Sequence, residues 1–212
     1  MPVATKGGDF TPVSAGVHHA VCYQVIEVGT QPAFGNFPPR RKVMVVWELP
    51  HERIMVKAKE GNGAIELPRA ISKEYTLSTD TKANLRKDLE AWRGRAFTAE
   101  EADRFEVGNL IGANCQLNVA HKPSRDGSKT YANVMSIMPL GKGAVKLKPE
   151  NPTMIYDFPK AGEPFNFPPE MPEWMQNKIK NSEEYQESLH GEPAQEQPKA
   201  SDSKHADEDV PF

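Results

Sequence analysis

The sequence predicts a mainly β fold with one helical interruption and a long irregular C-terminal tail. Three observations point there. Five runs are rich in β-branched and aromatic residues, helical spacing takes over between the third and fourth of them, and apolar residues become sparse beyond residue 188. The chain has 212 residues, 38% of them hydrophobic and 8% aromatic, and 19 prolines. That length suits one domain of about 100–150 residues plus extensions.

Residues 17–28 (VHHAVCYQVIEV) read as a long first strand. Residues 29–41 (GTQPAFGNFPPRR) hold three prolines and two glycines and read as a loop. Residues 42–49 (KVMVVWEL) form a second strand with the apolar density of a buried one. Residues 50–68 mix a short apolar piece, Ile54 to Val56, with the turn Gly61-Asn62-Gly63. In the third strand, residues 70–78, period-2 counting places Ile71, Lys73, Tyr75 and Leu77 on one face.

The period then changes. Leu85, Leu89 and Trp92 recur at helical spacing, with Thr79 or Asp80 available as N-cap and Gly94 where a helix-ending glycine belongs. Thr98 with Glu101 is a capping-box pattern for a second short helix. In residues 114–121, Cys115, Leu117, Val119 and His121 alternate with Asn114, Gln116, Asn118 and Ala120. Residues 129–138 follow through the turn Ser124-Arg125-Asp126-Gly127. Three strands, a helix and two strands is the order of an OB-fold, a five-stranded Greek-key barrel with its helix between strands three and four, and other small barrels and α+β sheets fit the same order. The loop after strand one and the turn between strands four and five are those with which such barrels grip oligonucleotides.

The expected organisation is a flexible arm (1–15), the OB-fold domain (16–140), a proline- and aromatic-rich extension (141–187) and a disordered acidic tail (188–212). The extension is expected to run extended over residues 151–169 and to form a short helix within 172–186, with Trp174, Met175 and Ile179 on its apolar face.

Charge divides the chain. Residues 1–149 hold 21 Lys and Arg against 15 Asp and Glu, a net of +6, and residues 150–212 hold 5 against 14, a net of −9. A basic body suits a polyanion and an acidic tail suits a basic partner, although a solubilising tail accounts for the same count. Cys22 and Cys115 are too few and too far apart for a disulfide framework, which favours a reducing compartment. No signal-peptide run and no stretch near the ~18 apolar residues of a membrane span is present, so a soluble cytoplasmic protein is expected. The phosphate-loop pattern, the Gly-x-Ser-x-Gly elbow and a nuclease-like carboxylate cluster are all missing, so no enzymatic activity and no cofactor is expected. His18, His19, Cys22, Cys115 and His121 lack zinc-ligand spacing, so no metal site is expected.

The last six residues, Asp207, Glu208, Asp209, Val210, Pro211 and Phe212, combine acids, a stiffening proline and an aromatic. Phe212 suits an apolar pocket, and the acids suit steering towards a basic partner. This segment resembles the acidic tip of bacterial and phage single-stranded DNA-binding proteins, which typically reads Asp-Asp-Asp-Ile-Pro-Phe; Glu208 and Val210 are conservative departures. The order of barrel, low-complexity linker and tip resembles that family too. The stretch EYTLSTDTKANLRKDLEAWRGRAF suggests a divergent phage or prophage member. The resemblance implies sequence-nonspecific coating of single-stranded DNA in replication, recombination or repair. It also implies a tip that recruits a polymerase, helicase, nuclease or recombinase in the bacterial host cytoplasm. Oligomeric state is left open, a homo-oligomer included. Two rival readings are an interaction module without DNA affinity and a mediator that anneals strands.

Single-strand binding needs cations for the backbone and flat side chains for the bases. The best local match is Phe34 and Phe37 followed by Arg40, Arg41 and Lys42. Trp47, Tyr75 and Tyr131 are further stacking candidates, with core packing the alternative. Lys57, Lys59, Lys73, Lys122, Arg125 and Lys129 are candidate groove cations that also read as ordinary surface charges.

Overall fold

The computed structural model describes residues 11–33, 35, 37–57, 63–160 and 163–190. The chain is mainly β. Strands β1 (Gly16–Gln31), β2 (Arg40–Lys57), β3 (Ala64–Thr76), β4 (Asn114–Pro123) and β5 (Thr130–Pro139) run antiparallel in the spatial order β3-β2-β1-β4-β5. A short strand, β6 (Met154–Tyr156), pairs parallel with Gln24 to Ile26 of β1, which makes six strands. The hydrogen-bonded path is open, with β3 and β5 at its two ends. β2 extends past the expected residue 49 because the register shift between Leu49 and Arg53 absorbs Pro50, and Ile54 to Val56 then re-pair with β3.

Helix α1 (Asn84–Arg93) buries Leu85, Leu89 and Trp92, and Gly94 ends it at φ 70°. Its N-cap is Ala83, without a side-chain bond, rather than Thr79 or Asp80; the Asp80 carboxylate instead accepts from the Lys82 amide at 2.9 Å. Helix α2 (Ala99–Arg104) starts with both reciprocal bonds of the Thr98–Glu101 capping box. A single 3-10 turn, Val107–Leu110, leads into β4. The extension forms two helices, α3 (Glu173–Lys180) and α4 (Glu183–His190). No helix among the described residues is long and apolar enough to cross a membrane.

Two apolar cores result. The first joins the inward residues of β1 to β5, including Val45, Trp47, Leu117 and Ile137, to α1 and α2. The second lies on the outer face of β1 and β2, where Tyr23, Ile26, Val28, Met44 and Val46 pack under Met154, Tyr156, Met171, Met175 and Ile179. The extension is therefore a fitted cover. Polar bonds fix it: the buried Glu48 carboxylate accepts from the amides of Glu150 and Asn151 and from Asn151 Nδ2, at 2.7–2.9 Å. Glu184 accepts from the Thr30 amide and hydroxyl, and Glu27 accepts from the Phe158 amide and Arg41.

Candidate nucleic-acid interface

The cover decides which sheet face is left open. On β4, Cys115, Leu117 and Val119 are buried, while Gln116, Asn118, Ala120 and Lys122 point away from the core. Ladder register adds Val17 of β1 beside Asn118, and Asn133 and Tyr131 of β5 beside Ala120 and Lys122. Tyr131 is 50% exposed and Val17 59%. Lys122 and Tyr131 are direct cross-strand neighbours, a separation of about 5 Å. No Asp or Glu occurs in β4 or β5.

Beyond this face the hairpin turn carries Arg125 and Lys129, both exposed. Asp126 is occupied within the turn: bonds from Ser124, then from Ser128, hold its carboxyl down at about 2. At the other end of β4, the Asn114 side chain holds the following segment. Its Nδ2 donates to the Leu147 carbonyl and its Oδ1 accepts from the Leu147 amide, each at 2.9 Å. The same Oδ1 lies 2.8 Å from His19 Nε2. That segment bears Lys142, Lys146 and Lys148, all exposed. From Val107 to Pro149 the chain has six Lys and Arg and one Asp or Glu, so +5 of the body's +6 belongs to this stretch. These lysines and the open face are what single-residue reading of the sequence missed; the charge count over that window is the signal that was available.

The other expected positions are distributed differently. Phe37 is 74% exposed and Arg40 is exposed, but their loop lies at the opposite end of β1 from the β4–β5 hairpin. Arg41 is tied to Glu27, and Lys42 lies 2.7 Å from Glu74. Glu74 also takes Lys178 at 2.5 Å; burial works to raise its carboxyl, but the two lysines outweigh it and hold it low. Two stacking candidates are corrected. Trp47 is wholly buried and packs on Trp92 with ring centroids 5.7 Å apart, and Tyr75 is buried with its hydroxyl donating to Asp88 at 2.8 Å. Burial, and then Asp88, push the Tyr75 hydroxyl up. Lys73 is 2.6 Å from the same Asp88, so it neutralises that acid rather than facing a groove. Phe34, Lys59 and residues 207–212 lie outside the described residues, as does the side chain of Lys57.

Cys22 and Cys115 are buried, and desolvation pushes both thiols up, which keeps them protonated. Among the described residues no three His, Cys, Asp or Glu side chains are placed to hold a metal ion. The arrangement offers an aromatic ring, amides and cations that make no ion pair among the described residues, on strands β4 and β5 that carry no Asp or Glu. Neither a family model, nor a curated protein, nor a solved structure matches this chain.

Proposed function

We propose that the chain binds single-stranded DNA without sequence preference on the outer face of β4, β5 and the first residues of β1, around Val17. One observation carries the reading: an uncovered sheet face that lacks carboxylates sets the exposed Tyr131 ring beside Lys122 and next to Arg125 and Lys129. Phosphates take the cations, an unpaired base stacks on the ring, and amides such as Asn118 and Asn133 meet polar base edges. A duplex keeps its base faces stacked inside and gains nothing from Tyr131. The reaction is binding without bond chemistry.

The sheet on this reading is an OB-type Greek-key barrel. Its strand order, the helix between β3 and β4, and the approach of β3 to β5 with Cα atoms within 8 Å support that assignment. The role that follows is coating and protecting the strand in phage or bacterial replication, recombination or repair. Residues 207–212 recruit partner proteins on the strength of their resemblance to acidic docking tips. A fluorescence titration of labelled oligo-dT tests the binding. Micromolar or tighter affinity that falls with salt supports it, whereas no binding leaves the rival interaction module.

A further inference from the structure

A second recess has the opposite chemistry. Where β3 leads into α1, a cleft of about 640 Å³ opens between that connection, α2 and β6. Leu77, Phe105 and Val107 form its apolar floor, and Asp103, Glu106 and Asp157 stand on its rim. No Lys or Arg lines it, and among the described residues neither Asp103 nor Glu106 has an ion pair, while Asp157 lies within the field of Arg41. The volume falls in the range of ligand sites. Phosphate is repelled there, so the cleft is no extension of the nucleic-acid face. Its occupant must bring cations on an apolar body.

The chain itself carries such a segment. Residues 142–148 present Lys142, Lys146 and Lys148 around Val145, which is 75% exposed. The two bonds between Asn114 and Leu147 anchor the end of this segment on the body, and the Ala144 amide donates to the Gly141 carbonyl within its turn, which limits the ordering entropy lost when it docks. We infer that the acid-rimmed cleft receives the 142–148 segment of a second copy of this chain. Because the two surfaces differ, the contact is heterologous: repeated head to tail, it builds a ring where its rotation closes and an open array where it does not. One short segment in one cleft falls below the ~800 Å² per partner of a standing complex, which makes the contact weak in free solution. Copies held side by side on one strand meet at high effective concentration, where the same contact becomes decisive.

The test needs no nucleic acid, so it stands apart from the binding proposal. Sedimentation velocity of the full chain is run in low salt up to about 1 mM, the affinity range expected of so small an interface. Two charge-reversed variants are compared: Asp103→Lys with Glu106→Lys, and Lys142→Glu with Lys146→Glu. All four residues are exposed, and unchanged circular dichroism checks that both variants fold. The expected result is a sedimentation coefficient that rises with concentration and collapses in high salt. Each variant alone loses association at least tenfold, and an equimolar mixture regains at least a one-to-one pair, since each variant supplies the intact surface that the other lacks. A monomer at every concentration, association that survives either reversal, or a mixture that stays monomeric overturns the inference.

Discussion

Replacing Gly29 by alanine tests whether the C-terminal extension is an integral cover of the sheet. Gly29 sits at a register shift of β1 with φ +73°, a region that costs an L-residue about 1–2 kcal/mol. A Cβ there falls 2.5 Å from Phe158 Cε2 and 2.6 Å from Ser182 Cβ, so the extension has to move. Overpacking of that kind costs about 1–3 kcal/mol, which brings the total to about 2–5 kcal/mol. Gly112 is the matched control: its φ is +80° but nothing lies within 4 Å of an added Cβ, so Gly112→Ala should cost only the conformational part. Urea unfolding followed by tryptophan fluorescence reads the difference, with Trp47 and Trp92 in the first core and Trp174 on α3. With a mid-range slope of about 2 kcal/mol per molar urea, the Gly29→Ala midpoint should fall by ~1–2.5 M, well beyond that of the control. Equal effects of the two substitutions would show that Phe158 and Ser182 are not seated on β1 and that the extension does not cover this face.

Other outcomes follow from the same geometry. Tyr131→Ala should weaken oligo-dT binding by about 1–3 kcal/mol while Tyr131→Phe keeps it, because the flat ring does the stacking; equal losses in titration would point to the hydroxyl. Removing Lys122, Arg125 and Lys129 together should flatten the salt dependence of log K by about 2, at ~0.7 per lost phosphate contact. Arg41→Ala should leave that slope unchanged but destabilise the fold by about 1–3 kcal/mol, since the buried Glu27 loses its cation; denaturant titration and the salt slope separate the two effects. Bonds from Arg95, then from the Thr98 amide and Arg93, hold the Glu101 carboxyl at about 2, against an ordinary 4.5. A depressed acid stabilises the fold above its unfolded pKa and loses that contribution as pH falls through its folded one. Acid unfolding should therefore draw on Glu101, and on Asp126 in the hairpin turn, between about pH 4.5 and 2, and Glu101→Gln should reduce the pH dependence across that window.

Periodicity carried most of the strand information. β4 alternates cleanly between apolar and amide residues, the pattern of a strand with one face in water, and its outer face is the open one. Residues 43–47 are apolar at both parities, and the structure covers that strand on both sides. The apolar density was thus visible, but what lay over the second face was not, because β6 is three residues long and pairs with a strand some 130 positions earlier. The Thr98–Glu101 cap was legible because both partners lie within one turn. Alternation also could not tell a stacking aromatic from a core one: Trp47, Tyr75 and Tyr131 all lie on strands, and only the packing of α1 over Trp47 and Tyr75 separates them from Tyr131. Similarly, Lys42 and Lys73 read as free cations until folding places Glu74 and Asp88 beside them.

The most direct measurement is fluorescence anisotropy of a labelled oligo-dT against the full chain at low and at high salt, with the triple substitution of Lys122, Arg125 and Lys129 by glutamate run alongside. The outer face of β4, β5 and the first residues of β1 predicts saturable binding that weakens steeply with salt and is lost in the triple variant. An oligonucleotide that stays free at low salt, or binds the triple variant as well as the unaltered chain, contradicts the account.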